Sequence, residues 1–271
     1  MPELPEVYTI SKDLTKLLPN SKLTEVEIFE EYRSIPKYSE FKDLINQKIK
    51  SVDRISKYIL IKFESKTLII HLGMTGRIRF SKTKELFRWD KIRFSFQTET
   101  TEIFYLNFTD TRKFGKVKIT DSPKINTGIE PFDLTNEKID SIKKIIKKKN
   151  SEIKNILLDQ TIISGLGNIY SNDTLFKAGI NPLKKGKDLS DHELEKIIRT
   201  ANEILLEGIE RKGSSMKDKM YTDIYGNYGD YQNYFKIYEK KNCVNCDTEI
   251  IKVQIKGRAS YFCPNCQPND I

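Results

Sequence analysis

A chain of 271 residues can bury one large core or two modest ones. It is 31% charged, and 47 basic against 38 acidic residues give a formal net charge of +9, a balance that suits a polyanionic partner such as nucleic acid. No apolar run approaches the roughly 20 residues of a membrane span, and the start lacks the basic and apolar regions of a secretory signal. The expectation is therefore a cytoplasmic, nucleoid-associated protein with no membrane partner and with its thiols reduced.

The chain opens Met1-Pro2-Glu3-Leu4-Pro5-Glu6. Met is normally removed before a residue as small as proline, which would leave Pro2 with a free secondary amine. At a pKa near 8, about a tenth of such a group is free base at pH 7, against well under a thousandth for a lysine at about 10.4. A proline nitrogen that adds to an aldehyde carbon gives an iminium that is cationic without further protonation, an electron sink for breaking bonds beside that carbon. Glu3 could move the protons. The same residues are also ordinary helix-start features: Val7, Ile10, Leu14 and Leu17 recur at helical spacing, predicting a helix from near Pro5 with Pro and Glu in its first turn.

Residues 22 to 119 read as short strands, among them 58–63, 67–71, 91–96, 102–108 and 115–119, rich in β-branched and aromatic residues and in part alternating apolar with polar. They predict a sandwich or barrel. His71-Leu-Gly-Met-Thr-Gly76 ends a strand in a Gly-flanked loop. Met74 at its tip could wedge into a base stack, or pack in a core. Thr111-Arg112-Lys113-Phe114-Gly115 is a second turn. It offers a ring that could fill the space of an extruded base and an Arg that could pair with the orphaned partner; alternatively it is a charged hairpin with one buried Phe. Pro and Gly without periodicity mark a linker over 122–134, after a first domain of 1–121.

Helices are expected over about 136–148, 151–159, 168–178 and 190–211. Between two of them, Gly165 and Gly167 let the backbone turn before Asn168-Ile169-Tyr170 opens a helix, whose free N–H groups suit a phosphate. The helical domain is read as 135–232 and its Gly- and Tyr-rich end, 213–234, is followed by a hairpin domain of 233–271. Cys243, Cys246, Cys263 and Cys266 form C-x2-C-x16-C-x2-C, a spacing that closes a tetrahedral four-thiolate zinc site. Such a site has no open position, so one structural zinc ion and no organic cofactor are expected.

These pieces together resemble the formamidopyrimidine-DNA glycosylases over nearly the whole chain. The resemblance rests on Pro2-Glu3-Leu4-Pro5-Glu6, Lys57-Tyr58, His71-Leu72-Gly73-Met74, Arg112-Lys113-Phe114-Gly115, Leu157-Leu158-Asp159-Gln160 through Gly167-Asn168-Ile169-Tyr170, and Gly257-Arg258 before Phe262-Cys263-Pro264. It implies an α+β fold: a β-sandwich with an N-terminal helix, a helix–two-turn–helix domain and a β-hairpin zinc finger. It implies a base-excision-repair enzyme, a monomer acting on damaged double-stranded DNA, in which Pro2 attacks C1′ and Glu3 is the general acid/base. Lys57 would hold the flanking phosphate and assist β-elimination, and Arg258 would assist the second elimination. His71, Asn168, Tyr170 and Tyr238 match positions that contact the DNA backbone. Met74, Arg112 and Phe114 match side chains inserted into the vacated stack, and 213–234 resembles a loop that closes over the flipped base.

The start Pro-Glu-Leu-Pro-Glu favours oxidised purines over the oxidised pyrimidines of the sister endonuclease VIII branch, which usually reads Pro-Glu-Gly-Pro-Glu. A damaged-DNA-binding protein without catalysis is the alternative of a different class. Two departures stand out. The family often has His-Asp-His where this chain has Trp89-Asp90-Lys91, implying a missing histidine contact for which Trp89 and Lys91 substitute only in part. It usually has Glu where this chain has Asp173.

Overall fold

The computed structural model describes residues 2–216 and 221–268. Met1, expected from the sequence to be removed, and residues 217–220 of the Tyr-rich stretch lie outside the described residues. The chain forms two compact units: Met1–Ile125 with Arg211–Gln232, and Asn126–Glu210 with Asn233–Ile271. Residues 211–232, read from sequence as the end of the helical domain, thus cluster with the first unit.

In the first unit, helix α1 (Leu4–Leu17) buries Val7, Ile10 and Leu14 along one stripe. The Glu6 carboxylate accepts the Glu3 N–H at 2.7 Å, which satisfies a donor that the helix itself leaves free. Strand β1 (Lys22–Ile28), short helix α2 (Tyr38–Phe41) and strands β2 (Ile49–Ile55), β3 (Tyr58–Phe63), β4 (Thr67–His71), β5 (Gly76–Ser81), β6 (Asp90–Gln97), β7 (Ile103–Asp110) and β8 (Lys116–Thr120) follow. They form two antiparallel four-stranded sheets, in the orders β1-β6-β7-β5 and β2-β3-β4-β8. Residues of α1 and both sheets share one apolar core that includes Ile59, Leu68, Ile92, Leu106 and Phe108.

The polar residues that alternate along β6 are buried too. Lys91, Arg93 and Ser95 are at most 4% exposed. Arg93 pairs with Glu27 at 3.1 Å, Ser95 donates to Glu25 at 3.4 Å, and Lys91 pairs with Glu30. Carboxylates from the edge strand and the segment after it thus offset the desolvation cost of covering the second face of a central strand.

In the second unit, α3 (Asn136–Lys147) buries Ile139, Ile142 and Ile146, and Thr135 caps its start. Helix α4 (Ile153–Leu158) leads to α5 (Asn168–Ala178), which ends at Gly179 in the left-handed conformation, φ +71°. The amphipathic α6 (Asp191–Glu210) packs on α5. A hairpin of β9 (Ile251–Ile255) and β10 (Arg258–Phe262) completes the unit. No helix among the described residues is long and apolar enough to cross a membrane.

Candidate active site and nucleic-acid interface

Pro2 and Glu3 lie at the buried start of α1, with Glu3 only 2% exposed. Behind them stands Glu6, whose second oxygen accepts the backbone N–H of Ser214 at 2.6 Å and its hydroxyl at 3.1 Å. Gly213 has φ +78°, and a Cβ there would meet the Glu6 carboxylate at 2.7–3.0 Å, so this approach requires glycine. The same stretch is fastened to β5, where Phe80 N–H donates to the Ile224 carbonyl at 2.8 Å.

Lys57 sits in the turn joining β2 to β3, after Ser56 at φ +53°, and is 6% exposed. It is an electrostatic neighbour of His71 at the end of β4. Burial first, then Lys57 and Lys116, pull the His71 pKa down to about 4. Its Nδ1 accepts the Gly73 N–H at 3.2 Å, so neutral His71 carries its proton on Nε2. It offers a donor, not a charge, at neutral pH.

The turns carrying Met74 and Arg112-Phe114 are packed back to back. Gly73, at φ +62°, leaves so little room that a Cβ would lie 2.5 Å from the Phe114 carbonyl. Both turns hang on the fully buried Asp110. Its Oδ1 accepts the Thr75 hydroxyl at 2.5 Å and the Arg112 N–H at 3.2 Å. Its Oδ2 accepts the Gly115 N–H at 2.7 Å and the Tyr32 hydroxyl at 3.3 Å. Arg112 and Phe114 are exposed, with the guanidinium 5.1 Å from the ring centroid, and Met74 is half-buried.

In the second unit the loop before α5 is built on Gln160. Its amide donates to the carbonyls of Leu158 and Leu166 at 3.0 and 2.7 Å and accepts the Gly165 N–H at 3.0 Å. Asn168 thereby begins α5, half-buried. Its carbonyl accepts the Nζ of Lys154, a fully buried lysine that also bonds the Ser171 hydroxyl. Tyr170, expected from the resemblance to contact the DNA backbone, is 0% exposed. Helix α5 is buried nearly all round, from Ile169 to Phe176, so this side chain is a core element rather than a surface contact.

Tyr238 is half-buried, ringed edge-on by Phe235 and Tyr261. Its N–H and that of Ile237 both donate to Asp173 Oδ1, at 3.3 and 3.0 Å. Arg258 is exposed at the first position of β10, after a turn whose Lys256 and Gly257 both have positive φ. Asn172 holds this strand, accepting the Tyr261 N–H at 2.9 Å.

The Sγ atoms of Cys243, Cys246, Cys263 and Cys266 all lie within 4.8 Å of one another, and the sulfur pairs 243–266, 246–263 and 246–266 are 3.5–3.7 Å apart. A tetrahedral shell with Zn–S bonds of about 2.3 Å has sulfurs about 3.8 Å apart, so the four thiolates fit one structural zinc ion. Gln267 ties the cluster down, accepting the Cys263 N–H at 3.0 Å and donating to the Ile180 carbonyl at 2.8 Å.

Comparison with known proteins matches three segments of the chain to family models. Residues 1–117 match the formamidopyrimidine-DNA glycosylase N-terminal domain, 127–220 the formamidopyrimidine-DNA glycosylase H2TH domain, and 240–269 the zinc finger found in FPG and IleRS. The chain is 37% identical to the formamidopyrimidine-DNA glycosylase of Pelotomaculum thermopropionicum, over 98% of this chain and 99% of that protein. It belongs to the formamidopyrimidine-DNA glycosylase family. The Listeria monocytogenes member is 33% identical over 98% of this chain and 100% of its own length. Lactococcus lactis Fpg, solved in complex with DNA containing an abasic site, superposes with a TM-score of 0.88 at 29% identity, covering 99% of this chain and 100% of that one. MutM (Fpg) of Thermus thermophilus superposes at 0.86, with 28% identity over 98% of each chain.

At the two departures from the family pattern the structure is informative. Lys91 is buried against Glu30 and turned away from solvent, whereas Trp89 is 46% exposed. Asp173, though shorter than Glu, reaches two backbone donors. The residues that sequence reading missed are mostly the supports: Asp110, Asn172 and the Gly213–Ser214 contact with Glu6. Each is a polar or small residue whose partner is far away in the chain. Gln160 and Glu6 were noticed only as parts of motifs.

Proposed function

We propose that the chain is a bifunctional DNA glycosylase and abasic-site lyase that removes oxidised purines, 8-oxoguanine and formamidopyrimidines, from damaged duplex DNA. The observation that carries the reading is a similarity to a formamidopyrimidine-DNA glycosylase that covers 98% of the chain, with the family's N-terminal domain matched over residues 1–117, which contain Pro2 and Glu3. With Met1 removed, the Pro2 nitrogen bonds to C1′ while the damaged base departs with the glycosidic electrons, and Glu3 supplies the proton that opens the sugar. The resulting iminium acidifies C2′. Loss of that proton expels the 3′-phosphate, and a second elimination expels the 5′-phosphate. Lys57 and Arg258 carry the charge that each departing phosphate needs nearby. His71 and Asn168 donate to the backbone, and Tyr238 is a further contact to it. Met74, Arg112 and Phe114 occupy the space of the extruded nucleotide. The four cysteines hold zinc, which keeps the hairpin of Arg258 folded.

Borohydride trapping on duplexes with 8-oxoguanine, thymine glycol or an abasic site tests this reading. Trapping on 8-oxoguanine that is lost in Pro2→Gly, with duplex affinity kept within a few-fold, is the expected result. Preferred incision at thymine glycol would favour the endonuclease VIII-like alternative. Binding without any trapped adduct would make the chain a damage-binding protein. Undiminished trapping in a chain whose mass retains Met1 would exclude Pro2.

A further inference from the structure

The lysines around α3 and α4 fall into two groups. Lys143, Lys147 and Lys184 are each paired with a carboxylate of α6: Glu195, Asp191 and Glu193 respectively. Lys148, Lys149, Lys185 and Lys187 are exposed, and among the described residues no carboxylate forms an ion pair with them.

The fold brings these four together from segments far apart in the chain. Residues 148–152, between α3 and α4, run antiparallel to residues 184–187, which follow α5. Lys187 N–H donates to the Lys149 carbonyl at 3.0 Å, Gly186 N–H to the Ser151 carbonyl at 2.9 Å, and Ile153 N–H to the Lys184 carbonyl at 2.7 Å. The ribbon is seated on the helices beneath it. A Cβ at Gly186 would lie 2.5 Å from Ile156 Cδ1 and 2.7 Å from the Ile146 carbonyl oxygen, so this approach requires glycine. Two carboxylates belong to the same stretch, Glu152, which accepts the Ser151 hydroxyl at 3.1 Å, and Asp188; the four lysines outnumber them. Like charges gathered without partners repel one another, so stability alone does not favour the cluster.

Its composition identifies the ligand chemistry. Residues 148–152 and 184–188 contain no arginine and no aromatic or large apolar side chain. They offer point charges on flexible stems, which neutralise phosphates without reading bases. They offer nothing to insert between bases or into a lipid surface. Position separates the ribbon from the Asn168 loop. That loop joins α4 to α5, whereas the ribbon precedes α4 and follows α5, and α5 alone is about 16 Å long. Along the chain between them lies the acidic Asp159, an electrostatic neighbour of Lys149. With a Debye length of about 8 Å at physiological ionic strength, the two basic surfaces bind phosphate nearly independently.

We propose that this lysine ribbon is a second DNA-binding surface, which takes hold of another DNA segment while the first is bound at the Asn168 loop and so passes the protein directly from one duplex to the next. The proposal rests on the glycosylase reading only for the duplex at the first site.

A chase experiment tests it. The full-length protein is bound to a short labelled 8-oxoguanine duplex and mixed with increasing unlabelled, undamaged duplex, and anisotropy is followed by stopped flow. The rate of loss should rise in proportion to chase concentration, because the second duplex binds before the first departs. In the variant carrying Lys148→Gln, Lys149→Gln, Lys185→Gln and Lys187→Gln the rate should no longer depend on the chase. Its melting temperature should be unchanged, and its affinity for one short duplex and its single-turnover incision should stay within about two-fold. In the wild type the log–log salt slope for the second duplex should be about −3 to −4, one phosphate for each lysine. A wild-type rate that ignores the chase, or a variant that keeps the wild-type dependence, would overturn the second surface and leave the glycosylase reading intact. Loss accelerated equally by phosphatidylglycerol vesicles would show a general polyanion patch and overturn it too. If no damaged duplex is bound, the glycosylase reading fails, and the same chase on a labelled undamaged duplex still decides the ribbon.

Discussion

Replacing Asp110 separates the worth of a charged acceptor from the worth of its shape. Its carboxylate is fully buried and takes four hydrogen bonds, two at each oxygen. In Asp110→Asn the amide nitrogen is best placed at the Oδ1 side. There the Thr75 hydroxyl can turn to accept, and the Arg112 N–H keeps the Thr75 oxygen at 3.1 Å as its acceptor. The retained oxygen still serves Gly115 and Tyr32. The loss is mainly of charge, about 1 kcal/mol. In Asp110→Ala the Gly115 N–H has no such substitute. Hydrogen bonds to a charged acceptor contribute about 1.5–3 kcal/mol each, so losing the two strongest costs about 3–6 kcal/mol. Urea denaturation should rank the variants in that order. At about 2–4 °C per kcal/mol, the melting temperature should fall by a few degrees for Asn and by roughly 6–24 °C for Ala. Duplex affinity should follow the same order, since Met74, Arg112 and Phe114 ride on these turns. Equal losses in the two variants would mean that this acceptor geometry is not what stabilises the turns. A loss below about 1 kcal/mol for Ala would refute it outright.

Three further outcomes are expected. Cys263→Ser should lose its zinc by metal analysis and bind duplex more weakly, because the hairpin of Arg258 loses its clamp; full affinity in a metal-free variant would contradict this. His71 should titrate near 4 by NMR, below its ordinary 6.5. Because the unfolded chain then binds the extra proton first, its contribution to stability is complete above about 6.5 and is lost as pH falls toward 4, by at most about 3 kcal/mol, and His71→Gln should remove that part of the pH dependence. Arg112→Ala should narrow the preference for excision opposite cytosine over adenine. Cytosine's O2 and N3 both accept from arginine whereas adenine's N6 donates, a difference on the order of 1–3 kcal/mol or roughly ten-fold or more in rate; an unchanged ratio in a slower enzyme would assign Arg112 to phosphate alone.

Much of the site was legible because its signals are local. The cysteine spacing, the Gly-flanked turns and the helical period of α1 each lie within a short stretch of chain, and the strands from 58 to 119 announce themselves by composition. The supports were not legible, because they act across long separations. Thr75 meets Asp110 35 residues on, Asn172 meets Tyr261 after 89, and Glu6 meets Ser214 after 208. Nothing near Asp110 in the sequence distinguishes it from a surface aspartate. Alternation failed for β6 for a related reason: its polar face is covered by carboxylates that come from β1 and the segment after it. Tyr170 shows the reverse case: it is read from a motif position, which says nothing of which way a side chain faces, and it lies buried in a helix that is itself surrounded.

A common device runs through both units. Several exposed or half-buried groups proposed to meet DNA stand close to a polar side chain that fixes the neighbouring backbone: Arg112 and Phe114 by Asp110, Asn168 by Gln160, Arg258 by Asn172. This arrangement answers a difficulty of strongly basic proteins. Cations gathered for phosphate repel one another, and a cation held by a direct surface ion pair is less available to a ligand. Supporting the backbone instead leaves the side chain free to bind. Lys91 and Lys113 differ in being paired directly, with Glu30. A substitution at a support should therefore lower stability and DNA affinity together, whereas one at an exposed cation should lower affinity alone and leave the melting temperature within about a degree.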